Sequence, residues 1–327
     1  MEKFSYILLL FVITLYSCSN QKSSEQTKNI FNSNTLISYV EARTERGNLS
    51  GEFGDIVILD YESGQKYKIS DDEFYDSKPS LSPEKKQIIF FTNRDRSSFQ
   101  LKMNAAGFPF QLYVFNIASN KLIGVNNYFS NSIPIPFNDL KNTGIDWFPD
   151  SLSFLLEYNN KLYRLFFNER KVKQIYYSPS STDKISAFNL SPDGKYIIVY
   201  LTNYDNNIIS FRNNLQLLSL VDSSIEVIDS EILFEQGCWT TNGKYVYAKT
   251  KYGEKRETNF LSYDPLTHKK EQLSYPDSLD IYLIDKSYLI VKILDGESKE
   301  LYKYYPETNI YKEITNDGKY KSDVSRN

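Results

Sequence analysis

Apolar and polar residues alternate in short runs along most of this chain, which is the spacing of β-strands with one buried face. In the clearest case the run KYIIVYLTN follows the turn Ser191-Pro192-Asp193-Gly194, and two further short runs come after it. Runs of this first type occur six times. They occupy residues 35–43, 86–95, 151–160, 195–203, 244–252 and 287–296. The pattern therefore predicts strands in a repeated order.

A tight hairpin ends each repeat and gives its period. When the six hairpins are aligned, one position is predicted to need a positive φ, which Gly and Asn adopt readily. That position holds Gly64, Asn120, Arg170, Ser224, His268 and Asn309. The separations run from 41 residues (268 to 309) to 56 residues (64 to 120), close to the roughly 40 to 50 residues of a four-stranded propeller blade.

In five of the six blades the remaining strand comes just before the turn. The sixth is predicted in the last segment, EITNDGKYKSDVSRN (313–327), because residue 34 begins the pattern one strand late. This segment would then complete the first blade. The predicted fold class is all-β, a six-bladed β-propeller of four-stranded blades whose ring is closed by the C-terminal strand, which leaves no open edge in the ring.

Three segments have a family resemblance. SPDGKYIIVYLTN (191–203), together with SPEKKQIIFFTNRD (82–95) and QLYVFNIASNKL (111–122), resembles the TolB-like, WD40-like β-propeller repeat. The resemblance covers residues 34–327 and is clearest in the second and fourth blades. It implies that the first strand of each blade lines a central channel, and that Trp147 and Trp239, which end two of these strands, pack between blades.

The N-terminus has the layout of an export signal. Lys3 precedes an apolar run (6–16) that is too short to span a bilayer. The sequence LYSC, which ends at Cys18, resembles the lipobox of bacterial lipoproteins. This resemblance implies removal of residues 1–17 and attachment of lipid to Cys18, and an ordinary secreted protein is the alternative.

The domain organisation follows from these features. Residues 1–17 are predicted to be a lipoprotein signal peptide, residues 18–33 a flexible tether and residues 34–327 the propeller. Ser19, in place of an Asp after the lipidated residue, resembles the pattern that permits sorting to an outer membrane. We therefore expect a protein of the bacterial cell envelope, held at the membrane only through its N-terminal lipid.

Composition limits the partners and the chemistry. The net charge of −3 and the pI near 5.5 argue against nucleic acid as a partner, because binding to phosphates requires a surplus of Lys and Arg. With Cys18 lipidated, Cys238 has no disulfide partner and is predicted to be a small buried residue. The single His, His268, lies at a predicted turn position, so the sequence predicts neither a Ser-His-Asp triad nor a zinc site.

The sequence therefore predicts a binding or scaffolding module without catalysis, metal or cofactor. One enzymatic alternative stays open. Asp146, Asp280 and Asp285 lie on or beside predicted inner strands, and a pair of carboxylates across the channel would suit a glycoside hydrolase or lyase.

The two longest connections, 94–110 and 124–143, are predicted to be neighbours on one face of the propeller. Their aromatic and basic residues resemble the core of a protein interface. The predicted partner-binding residues are Arg94, Arg96, Phe99, Lys102, Met103, Phe108, Phe110, Tyr128, Phe129 and Phe137. A protein partner in the envelope is expected, with a surface glycan as the alternative. Equally open is an arrangement in which these loops fold down and plug the channel with their own Phe side chains.

Overall fold

The structure is a computed structural model, and its residues form strands almost throughout. It describes residues 35–42, 54–72, 74–94, 110–129, 135–137, 140, 144–178, 180, 182–203, 213–233, 235, 237–252, 256–273, 280–285, 288–295, 298–305, 308, 310–319 and 321–325. Within these ranges the helical structure is one 3-10 turn, Val125–Asn127. No helix in the described ranges is long and apolar enough to span a membrane. The predicted signal peptide and tether, with Cys18, lie outside the described residues.

The strands follow one another with short spacings. In chain order they are β1 (Leu36–Ala42), β2 (Gly54–Asp60), β3 (Lys66–Lys68), β4 (Asp76–Leu81), β5 (Gln87–Thr92), β6 (Gln111–Asn116), β7 (Lys121–Gly124), β8 (Ile145–Trp147), β9 (Ser153–Tyr158), β10 (Lys161–Phe166), β11 (Lys171–Tyr177), β12 (Asp183–Leu190), β13 (Tyr196–Asn203), β14 (Asn213–Ser219), β15 (Ile225–Ile232), β16 (Gly237–Trp239), β17 (Tyr245–Tyr252), β18 (Arg256–Asp264), β19 (Lys269–Leu273), β20 (Asp280–Asp285), β21 (Tyr288–Asp295), β22 (Ser298–Tyr305), β23 (Ile310–Glu313) and β24 (Lys321–Ser325).

Antiparallel pairing groups these strands into four-stranded units, as the repeat predicts. Unit 1 has the order β24-β1-β2-β3, and the following units are β4–β7, β8–β11, β12–β15, β16–β19 and β20–β23, numbered 2 to 6. A single pair, Gly54 with Asp76, joins units 1 and 2 into one eight-stranded sheet. In unit 1 the strand β24 pairs with β1, with Val40 opposite Ser322 and Glu41 opposite Lys321. The predicted all-β class with four-stranded blades is confirmed.

The turn Ser191-Pro192-Asp193-Gly194 shows why the repeat has this sequence. The Ser191 hydroxyl donates to Asp193 (2.7 Å) and accepts the Tyr196 N–H (2.9 Å), which closes the turn at the start of β13. Gly194 has a φ of 71°, and a Cβ there would lie 2.9 Å from the Pro149 ring of unit 3. Glycine is thus required both by the backbone and by the neighbouring unit.

The predicted positive φ occurs at the hairpin position in units 1, 2, 3 and 5. The residues are Gly64, Asn120, Arg170 and His268, with φ values of 73°, 52°, 51° and 57°. In unit 4 the prediction of Ser224 is wrong, because Ser223 has the positive φ of 63°. The N–H of Ser219 bonds to the carbonyl of Ser224 just as that of Asp60 bonds to Gln65, so Ser223 is the true equivalent of Gly64. Asn309 lies outside the described residues.

Each unit packs face to face on the next through a cluster of buried apolar side chains. The clusters join units 1 and 2, 2 and 3, 3 and 4, 4 and 5, and 5 and 6 in turn. A further cluster places Leu301 of β22 against Tyr39 and Leu59, so that unit 6 also packs on unit 1. The first strands of successive units contact one another as well, from β4 through β8, β12, β16 and β20 to β24, and β24 contacts β4.

Both tryptophans lie between units, as predicted. Trp147 packs in the cluster between units 2 and 3, and its indole N–H donates to the Ser80 carbonyl at 2.9 Å. Trp239 packs against the cluster between units 4 and 5, and its indole N–H donates to the Asn189 carbonyl at 3.1 Å. Each ring therefore fastens the first strand of its own unit to the first strand of the unit before it.

Candidate binding face and channel-side cluster

The connections between strands divide into two groups by length. Turns such as 82–86 and 191–195 are closed by backbone hydrogen bonds, from Ser82 to Gln87 and from Ser191 to Tyr196, both of 2.8 Å. By contrast, 18 residues (93–110) separate β5 from β6, and 20 residues (125–144) separate β7 from β8. We call the end of the molecule that carries these two long connections the loop-bearing face.

The two long connections bind to each other, as the sequence predicts. Phe110 and Leu140 form an isolated antiparallel bridge, with backbone N–H to carbonyl bonds of 2.9 and 3.0 Å. This bridge fixes the end of the first connection, next to β6, against the middle of the second.

Aromatic side chains of both connections point into the protein. Phe110, Phe129 and Phe137 are all buried, in the cluster that also contains Ile135 and Leu140. The rings of Phe129 and Phe137 lie 5.5 Å apart, and Phe110 meets Phe91 of β5 edge-on at 6.4 Å. These three predicted partner-binding residues therefore belong to the interior, which matches the alternative in which the loops cover themselves with their own Phe rings.

Tyr128 and Arg94 also have structural contacts. Tyr128 is half-buried, and its ring meets Phe167 of unit 3 edge-on at 5.1 Å. Arg94 follows β5 and pairs with the fully buried Asp76 through both of its terminal nitrogens, and with Asp72 at 2.5 Å. Burial alone would lower the pKa of Arg94, but the carboxylates of Asp76 and Asp72 outweigh it and raise that pKa. Arg94 anchors the start of the first connection.

The other predicted partner-binding residues lie outside the described residues. They are Arg96, Phe99, Lys102, Met103 and Phe108. The described residues thus give the loop-bearing face a fixed base, with Arg94 at one end of the first connection and Phe110 at the other.

A polar cluster lies along the first strands of units 3, 4 and 5. Asp146 of β8 is half-buried, and its carboxylate accepts the Leu190 N–H of β12 at 2.8 Å. Burial raises the pKa of Asp146 to about 7, and the hydrogen bond from Leu190 opposes this only in part. Unit 4 has Leu190 where units 3 and 5 have Trp, so Asp146 supplies here the link between first strands that an indole N–H supplies elsewhere.

Two tyrosines continue this cluster into the interface between units 4 and 5. The Tyr245 hydroxyl donates to the Asn189 side chain at 2.6 Å, and the Tyr200 hydroxyl lies 3.1 Å from it. A Cβ at Gly237 would come within 2.4 Å of the Tyr245 hydroxyl, so glycine makes this approach possible. Neighbouring Cys238 is buried, as predicted, and burial raises the pKa of its thiol to about 12.

The remaining candidates for chemistry are placed as follows. His268 is exposed in its hairpin, and its Nδ1 lies 2.7 Å from Glu226 of β15 and 3.2 Å from the Tyr263 hydroxyl. Asp280 and Asp285 lie on β20, and their side chains are outside the described residues. Within the described ranges, no three His, Cys, Asp or Glu side chains are grouped so as to hold a metal ion.

A buried ion cluster joins β24 to its neighbours, and nothing in the sequence signalled it. The ammonium of Lys321 is fully buried and donates to Glu300 of β22 at 2.9 Å and to Asp317 at 2.5 Å. Glu41 of β1 pairs with Lys319 at 2.6 Å. Burial would raise the pKa of Glu300, but hydrogen bonds from Thr315 and Lys321 outweigh it and lower that pKa.

Comparisons with known proteins give a fold but no family. No protein-family model matches the sequence, and no curated protein matches it either. Among solved structures, TolB from Acinetobacter baumannii superposes with a TM-score of 0.61 at 16% identity, over 89% of this chain and 66% of that one. The chain therefore spans about two thirds of the length of that TolB.

Two further structures show the same architecture. A chain of the nidogen/laminin complex matches with a TM-score of 0.55 at 5% identity, over 89% of this chain and 97% of that one. The Pyrococcus horikoshii acylaminoacyl peptidase matches with a TM-score of 0.51 at 15% identity, over 87% of this chain and 45% of the peptidase. Together with the four-stranded units, these likenesses show that the protein has a TolB-like β-propeller fold, and the predicted resemblance is confirmed.

Proposed function

We propose that the protein is a lipid-anchored module of the bacterial cell envelope, in which a six-bladed propeller holds a protein partner on its loop-bearing face. In this proposal units 1 to 6 are the six blades, and β24 closes the ring by completing the first blade. The lipid on Cys18 holds the module at the membrane. The propeller itself then acts as a rigid platform and not as an enzyme.

The ring is supported by contacts between the first and last parts of the chain. Unit 6 packs on unit 1 through Leu301 and Tyr39, and β20 contacts β24. The ion cluster around Lys321 adds a buried charged link between β24 and β22. Pairing of β24 with β1 covers an edge of β1 that would otherwise be open, which suits a rigid platform that presents one face to a partner.

The main support for a binding site on the loop-bearing face is the way in which its first long connection is anchored. Arg94 is tied to Asp76 at the start, and Phe110 is tied to Leu140 at the end. Between these anchors the connection carries Arg96, Phe99, Lys102, Met103 and Phe108, an aromatic and basic set of the kind enriched in interface cores. Long connections held by a rigid scaffold are where propellers and other β folds place their binding residues.

The envelope location is supported by the N-terminal sequence. The apolar run before LYSC and the polar segment 18–33 are those of an anchored exported protein. The TolB-like fold agrees with such a location but carries no partner with it, since the chain spans about 66% of the TolB chain that it matches.

The proposal is tested by capture of partners from an envelope fraction. We expect the triple variant Phe99→Ala, Lys102→Glu, Phe108→Ala to lose a partner that the parent protein retains after cross-linking. The control is Lys86→Glu, an exposed residue in a turn of the other group of connections. Retention of every captured protein by the triple variant would contradict a partner site on the loop-bearing face.

A second candidate rests on Asp146. A carboxyl group with a pKa near 7 beside the first strands is the kind of general acid that a glycoside hydrolase or lyase uses. The reaction also requires a second carboxylate about 5 to 10 Å away, and Asp280 or Asp285 would have to supply it. Release of reducing ends from acidic and neutral polysaccharides, abolished in Asp146→Asn, would favour this candidate over the binding module.

A further inference from the structure

The last strand of each unit is an edge strand. These outer strands are β3, β7, β11, β15, β19 and β23, and in the described part of the chain each has a strand partner on one side only. An edge strand presents unpaired N–H and carbonyl groups, and proteins protect such edges with charged residues, above all Lys. Five of the six follow this rule with exposed lysines. These are Lys66 and Lys68, Lys121, Lys171 and Lys173, Lys269 and Lys270, and Lys312.

β15 is the exception. With eight residues it is the longest outer strand, and its sequence IEVIDSEI contains no Lys or Arg. Ile225 and Val227 are 51% and 61% exposed on this strand, and Val221 in the preceding turn is 71% exposed. The longest outer strand of the described sheets thus has two exposed apolar residues and no lysine to oppose pairing with another strand.

The two faces of β15 have different neighbours. Ile228 and Ile232 are buried against unit 5, and Glu226 accepts a hydrogen bond from the Tyr263 hydroxyl of that unit at 2.8 Å. Because side chains alternate along a strand, Ile225 and Val227 project on the opposite face, where they are exposed. The alternation therefore leaves two exposed apolar side chains on the side of β15 that lies toward unit 3, the side on which Leu218 of β14 packs against that unit.

The first half of β15 has the regular geometry that a further strand needs. Ile225, Glu226 and Val227 pair in register with Leu218, Leu217 and Gln216 of β14. The register shifts only beyond Val227, where β-bulges bend the second half of the strand. The regular ladder and the exposed apolar residues coincide.

Charge indicates what this edge accepts. Residues 221–232 include four carboxylates, those of Asp222, Glu226, Asp229 and Glu231, and no basic residue. Lys249 of unit 5 pairs with Asp229 at 2.6 Å, so the charge of the edge stays negative but is reduced there. Pairing of β15 with β15 of a second copy would place carboxylates opposite carboxylates, which is destabilising. A strand in which apolar residues alternate with Lys or Arg would instead meet opposite charge and bury Ile225 and Val227.

We propose that β15 is a docking edge for an extended segment of a partner protein, with apolar residues alternating with Lys or Arg, which adds to unit 4 as a fifth strand. Main-chain hydrogen bonds to β15 give affinity, and contacts with Ile225 and Val227 give specificity, as in other cases of strand addition. This edge is separate from the loop-bearing face, so the inference does not depend on the function proposed above.

The test uses the full chain from residue 19 and a capped eight-residue peptide of alternating Val and Lys, labelled for fluorescence anisotropy. A peptide of the same charge, with two Val replaced by Pro, cannot form the ladder and separates strand addition from simple attraction between charges. Val227→Lys places a protecting lysine on β15. Leu122→Lys makes the same change at an exposed apolar position of the outer strand β7.

We expect saturable binding of the Val-Lys peptide, weakened at least tenfold in Val227→Lys and unchanged in Leu122→Lys, with slowed amide exchange at residues 225–228. Equal binding of the Pro peptide, or equal binding to Val227→Lys, would overturn the proposal. So would the absence of any binding. Self-association of the parent chain that is abolished by Val227→Lys would also overturn it, because the occupant of the edge would then be a second copy.

Discussion

Replacement of Asp146 by Asn is expected to stabilise the protein at alkaline pH and to leave its stability unchanged in acid. In the folded chain, burial raises the pKa of Asp146 from 3.8 to about 7, although the Leu190 N–H donates to its carboxylate. The folded state therefore favours the protonated carboxyl. The stability gained in this way is complete below the pKa of the unfolded chain and is lost as the pH rises through about 7.

The magnitude follows from the two pKa values. Their difference, at about 1.36 kcal/mol for each pH unit, sets an upper bound of about 4 kcal/mol on the cost of ionising Asp146 in the folded protein. The side chain is half-buried, so water screens part of this cost. We expect the Asn variant to be more stable at pH 8 by about 1 to 4 kcal/mol. Asn keeps a carbonyl oxygen that can accept the Leu190 N–H.

The free energy of unfolding in urea, followed by tryptophan fluorescence between pH 4 and pH 8.5, measures this effect. Asp193→Asn is the matched control. Burial would raise the pKa of Asp193, but hydrogen bonds from Ser191 and Lys195 outweigh it and lower that pKa. Its carboxylate therefore stabilises the fold above the unfolded pKa of 3.8, and this contribution is lost only as the pH falls through the lower pKa of the folded state. The control should therefore be destabilised across the whole range from pH 4 to pH 8.5.

The reasoning would be refuted if Asp146→Asn were less stable than the parent protein at pH 8. It would also be refuted if the difference between the two proteins were the same at pH 4 and pH 8. Either result would mean that the carboxylate of Asp146 is well solvated, or that its charge stabilises the contact with Leu190.

Two further predictions concern β24 and the membrane anchor. Lys321→Ala leaves Glu300 buried without its cation, and we expect a loss of about 3 to 5 kcal/mol in unfolding free energy at pH 7. The loss should be smaller at pH 3, because without the charge of Lys321 the burial of Glu300 favours its protonated form in the variant; an equal loss at both pH values would contradict the role of the ion cluster. Cys18→Ser is expected to move the exported protein from the membrane fraction to the aqueous fraction, with detergent partitioning as the measurement, and continued partitioning with membranes would rule out the lipid anchor.

Local signals in the sequence are sufficient for the strand order and the turns. The alternation in 195–203 predicts β13, and the turn before it predicts the place of Gly194, because both depend on residues close together in the chain. Among the hairpins that the structure describes, the predicted position is wrong only in unit 4. There three consecutive polar residues, Asp222, Ser223 and Ser224, all suit a turn, and composition cannot choose among them.

Contacts between residues that are far apart in the chain cannot be predicted from local sequence patterns. Nothing in the sequence near Asp76 indicates that it pairs with Arg94, so the sequence predicts a partner-binding role for a residue that anchors a loop in the structure. The same applies to Phe129 and Phe137, since an aromatic residue in a long connection has the same sequence signal whether it binds a partner or fills the core. The exposure of Ile225 and Val227 depends on how far the neighbouring units cover β15, and local sequence does not specify this.

The pairing of β24 with β1 has a consequence for the synthesis of the protein. Ser38 lies opposite Ser325, so the backbone groups on one side of β1 can form their hydrogen bonds only after β24 has been synthesised. Contacts of such long range form late and slow the folding reaction. Without residues 321–325, β1 would have an open edge beside the unpaired carboxylate of Glu300, and an open edge of this kind can pair with strands of other chains.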